Sequence, residues 1–517
     1  MSLATAKASD GPGLNEKMLF WASFLTLIAA GIGFSVRGAV LKDWGSQFGF
    51  TQAELGTITG GGLIGFGITI IVLSFFADAV GYGKLMLLAF LLHASSAVVT
   101  LAATPVYAKF GKDGAFYCLN IGMWLFALGN GACESVINPL TATLFPRNKT
   151  HWLNILHAGW PGGLILGAVM TVIFNKVGGI PWEVKLGMFV VPVLLYGVMM
   201  FGRRFPRSEA SVSGVSIGSM VVTLFAPILL FLFLLHALVG YVELGTDSWI
   251  TNIGNTVLKD QDKALYAFIG TNFVMFALRF FAGPIVHKIS PLGLLFVSAL
   301  LGTAGLVLFS QPAVDSFPLW VLVSLVYAVG KTFYWPTLLG VISERFPKGG
   351  ALALGVSGGI GMLSAGLLGA PGIGYKQDYF AVQKIEELDK KDGKDTYGRY
   401  MARTEAGQPE KSGYPLVSKL VPDKVPPVAG LDNAKLKVAD DYGPVKAGKE
   451  KMTTLESDLA TLDKNKSEGK PVEATLEKNL TGLKKWWDTE GKPNYEVDAP
   501  KLEETRLFGG RQALLYT

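Results

Sequence analysis

The sequence predicts an all-α polytopic membrane protein, and three observations carry that reading: eleven apolar stretches between Met18 and about Leu368, a hydrophobic content of 50%, and a charged content of only 17%. The stretches run Met18 to Leu41, Leu55 to Phe76, Leu85 to Ala103, Ala115 to Leu144, Trp152 to Phe174, Val184 to Met200, Val221 to Ile250, Ala264 to Ile285, Leu292 to Phe309, Phe317 to Ile342 and Ala351 to Leu368. A helix rises about 1.5 Å per residue and a bilayer's hydrocarbon core is about 30 Å thick, so roughly 20 mainly apolar residues make one span. Most of the eleven are near that length.

Charge divides the chain in two. Up to about Gly374 it is sparse and carries nearly all of the net charge of +6, whereas the remainder holds balanced acidic and basic residues. The basic residues of the apolar part sit in alternate short loops: Lys84; Arg147 and Lys149; Arg203, Arg204 and Arg207; Lys288; Arg345 and Lys348. By the positive-inside rule these loops face the cytoplasm, which also places the N-terminus there, in the cell (inner) membrane. Charges set singly between spans do not make a nucleic-acid surface. The first apolar run is too long for a cleavable signal core and is followed by further spans, so it is expected to act as an uncleaved insertion signal. Cys118 and Cys133 fall on one helix about 22 Å apart, too far to bridge.

An internal repeat organises the spans. Ser74-Phe-Phe-Ala-Asp78 after the second span resembles Arg279-Phe-Phe-Ala-Gly283 at the end of the eighth, and the fourth and tenth spans both run through an X-Pro step to a Phe-Pro, Asn138-Pro139 to Phe145-Pro146 and Trp335-Pro336 to Phe346-Pro347. A duplicated six-helix unit is a common transporter architecture, with substrate bound near the midplane between the halves. Duplication predicts a twelfth span, and an apolar run begins only at residues 511–517. The expected organisation is therefore a cytoplasmic tail (1–17), a six-helix half (18–202), a cytoplasmic linker (203–218), spans seven to eleven (219–372), an extracytoplasmic soluble helical insert (373–510) and the start of a truncated twelfth span (511–517).

The insert, about 135 polar residues, far exceeds an ordinary loop. Met452, Leu455, Leu459 and Leu462 make one helical stripe and Val472, Leu476, Leu480, Leu483 and Trp487 another, with Gly469 and Pro471 between: an amphipathic helical hairpin is expected. It reads as a spacer or small docking domain, the alternative being a lid that captures ligand. Asp389, Asp392 and Asp395 around Gly393 depart from the spacing of a calcium loop and are expected to form a solvated turn.

After the second span stands Ala77-Asp78-Ala79-Val80-Gly81-Tyr82-Gly83-Lys84. This resembles the cytoplasmic signature of the major facilitator superfamily, in which an Asp, a Gly and basic residues form the loop between spans two and three. Asp78, Gly81 and Lys84 match and are implied to gate the inward side; Ala79 and Tyr82 stand where the family usually has Arg. The fourth and fifth spans, Gly129-Asn-Gly-Ala-Cys-Glu134-Ser-Val-Ile-Asn138-Pro139 and Leu153-Asn154-Ile-Leu-His157-Ala-Gly-Trp160, together with Gly240-Tyr-Val-Glu243 in the seventh, resemble the fucose, galactose and glucose proton symporters of that superfamily. The resemblance implies a fold of two six-helix halves and makes Glu134 the residue of proton coupling. The chain departs from that family at Arg37, where the family has an Asp, and at His157 and Trp160, where it has a sugar-binding Gln and Asn.

Physical chemistry reaches the same residues. A charge at the bilayer centre costs a few kcal/mol or more, so Arg37, Glu134, Glu243, Asp247, Arg279 and Lys331 are expected to face partners or an aqueous cavity. Glu134 is the deepest carboxylate, and with Arg37 it can form either a proton switch or a permanent salt bridge. Sugars need hydrogen-bonding side chains and an aromatic face, so Arg37, Asn138, His157, Trp160, Glu243, Lys331 and Trp335 are the expected substrate-binding set. His93 and His236 are expected to be structural. Gly330-Lys331-Thr332 lacks the leading Gly of a phosphate-binding loop and lies inside an apolar helix, so ATP is not expected, nor is any cofactor or metal. No constellation of an enzyme is present. The expected partners are a small solute, protons and the lipid bilayer, and the protein is expected to be a monomer. The function expected is a secondary active transporter of a small polar solute, a sugar with proton symport first. The alternatives are an organic-anion transporter using Arg37 and Lys331, and a non-transporting sensor whose insert binds a ligand.

Overall fold

The structure, a computed structural model, describes residues 14–48, 50, 52–178, 180–404, 406–414, 417–449, 451–467 and 474–517. Most of the expected N-terminal tail therefore lies outside the described residues, as do Gly469, Pro471 and Val472 of the expected hairpin. Each expected span is built on helix. The first half consists of Leu14–Ala39, Gln52–Val80, Tyr82–Leu101, Ala103–Leu144, Lys149–Val177 and the pair Trp182–Gly187 and Val190–Met200. The second consists of Pro227–Gly240 with its continuation, Gln261–Arg279, Ala282–Phe309, Phe317–Lys331 with Tyr334–Arg345, and Gly350–Ser364. Among the described residues ten helical segments are long and apolar enough to cross a membrane. The exception is Gln261–Arg279, the eighth span, whose Asp262, Lys263, Asn272 and Arg279 make it more polar.

Several boundaries move, among them those of the fourth, seventh and eighth spans. The fourth span begins at Ala103 rather than Ala115, with a break at Gly111, where φ is 70° and ψ −159°. The seventh span begins at Pro227, not Val221, because Pro227 starts a new helix after the separate segment Ile217–Leu224; it then runs through a π turn, Tyr241–Gly245, towards Leu258. The eighth stops at Arg279, before Ile285, and Ala282 opens the helix that leads through a turn at Ser290 (φ 64°) into the ninth.

The sequence repeat has a backbone counterpart. The fourth span ends on Phe145 with φ −127° and ψ 61°, and the tenth on Phe346 with φ −124° and ψ 56°, each N–H returning to the carbonyl four residues back. Close packing rests on glycine where backbones meet. A Cβ on Gly163 of the fifth span would lie 2.3 Å from the Ile28 carbonyl of the first, and one on Gly240 of the seventh 2.0 Å from the Gly361 carbonyl of the eleventh. Lipid gives no hydrophobic drive between helices, so such small-residue contacts supply the van der Waals contact that holds spans together.

The chain divides into two compact units. One comprises Met1–Leu244, Leu265–Gly305 and Val321–Leu367; the other comprises Gly245–Ala264, Leu306–Trp320 and Leu368–Thr517. In the second unit the helix Ala370–Asp392 packs against Lys492–Leu515, Gly509 meeting the Gln377 carbonyl, and residues 511–515, expected to open a further span, complete that last helix. Trp249 Nε1 donates to Ala370 O at 2.6 Å, and Lys259 pairs with Glu503 at 2.6 Å. The insert's core gathers Ile385, Tyr400, Leu436, Leu455, Trp486, Trp487 and Leu502. Both helices of the expected hairpin form, Thr454–Ser467 and Ala474–Trp486, and Leu459, Leu480 and Leu483 pack on that core. Lys501 bonds Asp389 and Asp392 at 2.8 Å each, and Asp395 caps the helix Thr396–Tyr400; Asp389 is buried by this pairing, where a solvated turn was expected.

Candidate functional site

Glu134 and Asn138 stand one turn apart on the buried face of the fourth span. The Asn138 amide donates to the Glu134 carboxylate, and its Oδ1 accepts from His157 Nε2 of the fifth span at 2.9 Å. A side-chain chain of three thus crosses from one span to the next. The backbone carbonyl of His157 then accepts from Arg279 Nη1 of the eighth span at 2.5 Å.

Two irregularities in the second half place Arg279 there. The tenth span breaks after Lys331, and Pro336 has no N–H, so the carbonyl of Thr332, four residues earlier, lacks its helical donor. Arg279 Nε fills that vacancy at 2.8 Å. The π turn of the seventh span carries Glu243, whose Oε1 lies 3.2 Å from Arg279 Nη2, while the turn's Val242 carbonyl accepts from Tyr327 Oη at 3.0 Å. π turns often occur at functional sites, because the extra residue re-aims a side chain.

Glu134, His157, Trp160, Glu243, Leu244, Arg279, Trp335 and Met362 line a narrow cavity with about 320 Å³ of empty space, counting its mouth. Trp335 meets His236 edge to face with ring centroids 4.4 Å apart, and His236 Nδ1 bonds Ser357 Oγ at 2.6 Å. Trp160 is tilted on Phe34 at 5.2 Å. Of the expected set, Glu134, His157, Trp160, Glu243 and Trp335 come together, and Asn138 stands behind them.

Arg37 and Lys331 are placed elsewhere. The Arg37 guanidinium lies over the Phe126 ring at 3.9 Å and donates to Ser96 Oγ at 2.9 Å, and Ser96 in turn donates to the Gly122 carbonyl. Gly122 precedes Glu134 by twelve residues on one helix, roughly 18 Å, so the expected pairing of Arg37 with Glu134 does not form. Among the described residues no basic side chain forms an ion pair with Glu134. Lys331 is fully buried 5.5 Å from the Tyr327 ring, not in the cavity lining. Sequence reasoning counted Arg279 among the intramembrane charges but not in the binding set, and missed Leu244 and Met362 altogether. Pro336 was the available signal for Arg279, but a vacant carbonyl gains meaning only once the eighth span is known to face it.

At the loop after the second span Gly81 takes φ 89°, a conformation that suits glycine, and Asp78 lies beside the hydroxyls of Tyr82 and Ser208. On the same side of the repeat ends, Thr150 Oγ1 donates to Glu344 at 2.7 Å, and Asn154 Nδ2 to Thr337 Oγ1 at 3.1 Å. These contacts tie the fifth span to the tenth.

Two repeats of apolar helices with a polar, charge-bearing cavity among them define a multi-pass membrane transporter rather than an enzyme. A family model described as Major Facilitator Superfamily matches residues 23–370, and the chain belongs to that superfamily. Among solved structures the chain is similar to FucP in the outward conformation (15% identity, TM-score 0.56, covering 71% of this chain and 93% of that one). It is also similar to the proton:xylose symporter XylE bound to 6-bromo-6-deoxy-D-glucose (15%, 0.56, 68% and 86%) and to a partially occluded inward-open XylE from E. coli (13%, 0.55, 68% and 91%). By sequence, no curated protein matches the chain. At such identities these likenesses bear on the fold.

Proposed function

We propose that the protein is a secondary active transporter that moves a small neutral polar solute, a sugar first, together with a proton. The observation that carries this is the cavity itself. It offers a carboxylate, Glu134, held by Asn138, which His157 bonds in turn, rather than by a lysine or arginine, and it offers two indoles, Trp160 and Trp335, as apolar faces for ring C–H groups. A carboxylate without a fixed counter-charge can exchange a proton as access alternates; one locked to Arg37 would have been a static ion pair. Arg279, the one Lys or Arg among the described lining residues, is committed to two backbone carbonyls and Glu243, which favours a neutral solute over an organic anion. The neighbours FucP and XylE, the latter described as a proton:xylose symporter, support the same reading. With the basic loops facing the cytoplasm, the Thr150–Glu344 end of the bundle is the inner gate.

The test is uptake of labelled sugars into proteoliposomes with and without a pH gradient, alongside counterflow at equal pH. Gradient-driven accumulation that is lost in Glu134→Gln while counterflow persists is the expected result. A Glu134→Gln protein that accumulates solute with unchanged pH dependence would sink the proposal.

A further inference from the structure

A second pocket lies at the ends of spans two, three and six, away from the central cavity. It holds about 960 Å³ of empty space, counting its open mouth, and its walls are the loop 77–84 with Arg203, the run Phe205–Ser208 and Ser211. Among the described residues that line it, Lys84, Arg203 and Arg207 bring three cations against the carboxylate of Asp78, which is partly buried beside Tyr82 and Ser208. The walls are held in place: Phe205 packs on Gly83, and Asn15 Nδ2 donates to the Arg204 carbonyl at 3.0 Å. The third span also opens into it at Tyr82, and no side chain caps the first turn of that 20-residue helix, so its N–H groups add positive potential.

What separates this pocket from a site for a soluble anion is its surroundings. Immediately towards the apolar part of the same helices, Val80, Val198 and Phe201 are exposed, Phe201 to 85%. A ligand that satisfies both regions carries a negative headgroup and acyl chains. We propose that the pocket holds the phosphate of an anionic phospholipid, with Lys84, Arg203 and Arg207 at the headgroup and Val80, Val198 and Phe201 along the chains. Juxtamembrane basic residues attract anionic lipid surfaces, and a concave cluster of three makes that attraction local.

The test is native mass spectrometry of the full chain in detergent, titrated separately with short-chain phosphatidylglycerol, short-chain phosphatidylcholine and inorganic phosphate. Phosphatidylglycerol is expected to bind more tightly than phosphatidylcholine, and Arg203→Gln/Arg207→Gln to weaken it by about fivefold per charge removed. Both arginines are exposed, so the double variant is expected to keep the wild-type melting profile. Arg345→Gln, in a different basic loop, is expected to change nothing. Equal retention of the two lipids, or equal retention of phosphatidylglycerol by wild type and double variant, overturns the proposal. Inorganic phosphate binding as tightly as the lipid overturns it too, by assigning the pocket to a soluble phosphate ester.

Discussion

Arg279 Nε donates to the carbonyl of Thr332 at 2.8 Å, an acceptor left open because Pro336 has no N–H to return to it. One proline in the tenth span thus builds the seat for the only Lys or Arg among the described residues that line the central cavity. Arg279→Gln leaves that carbonyl unmet and takes the cation from Glu243; breaking a buried pair costs about 3–5 kcal/mol. A large loss of thermal stability in detergent is expected, much of it recovered in Glu243→Gln/Arg279→Gln. Pro336→Ala supplies the competing N–H, and transport is expected to fall while the fold survives. Wild-type transport kinetics in Pro336→Ala would show that the seat does not depend on the proline.

Asn138 is the link between Glu134 and His157, donating to one and accepting from the other. Asn138→Leu keeps the volume and removes both bonds, leaving two buried polar groups without this partner, at about 1–3 kcal/mol each. Gradient-driven uptake is expected to drop by about tenfold or more, with equal-pH counterflow affected less. Parallel loss of both activities would instead mean that Asn138 serves solute binding alone.

Glycine packing makes a sharper structural prediction. A Cβ on Gly163 would press on the Ile28 backbone at 2.3 Å, whereas one on Gly270 meets nothing within 4 Å. Gly163→Ala is expected to cost about 1–3 kcal/mol of overpacking. Gly270→Ala, in a helix interior, is expected to stabilise by up to about 1 kcal/mol. Melting curves of the two alanine variants that coincide would contradict the close approach of spans one and five.

Much of this architecture was legible because lipid simplifies the code: a span must be long and apolar, and a charge inside it must have a purpose. Glu134 and Glu243 stood out as charges by that rule, while His157, Trp160 and Trp335 entered through the needs of a sugar ring, and the five share one cavity lining. What the sequence concealed was rotation and partner. A membrane helix is apolar on most faces, so its periodicity does not say which way Arg37 points. Its place near the end of the first span puts it level with Ser96 and Gly122, not with Glu134. The eighth span was legible as helix, but the carbonyl that Arg279 Nε meets was not, because it depends on the break in the tenth span. In the insert, by contrast, water restores amphipathic contrast, and the stripes through Leu455 and Leu480 were readable directly.

The same insert yields a prediction in pH. Burial pulls the Lys501 ammonium down, but its hydrogen bonds to Asp389 and Asp392 outweigh that and hold it above the usual lysine range. A group raised in the folded state contributes stability that is whole below its unfolded value, about 10.4, and is lost as pH rises through the folded one. Lys501→Met removes the cation from both carboxylates at once. The variant is expected to melt lower than wild type at neutral pH, and the gap is expected to close above the usual lysine range as the wild-type ammonium deprotonates. Near-ultraviolet dichroism of the full chain against temperature, taken at pH 7, 9 and 11, follows the packed Tyr400, Trp486 and Trp487 core through this change. A gap that stays constant across that series would mean that Lys501 stabilises the insert by packing of its stem and not by its charge.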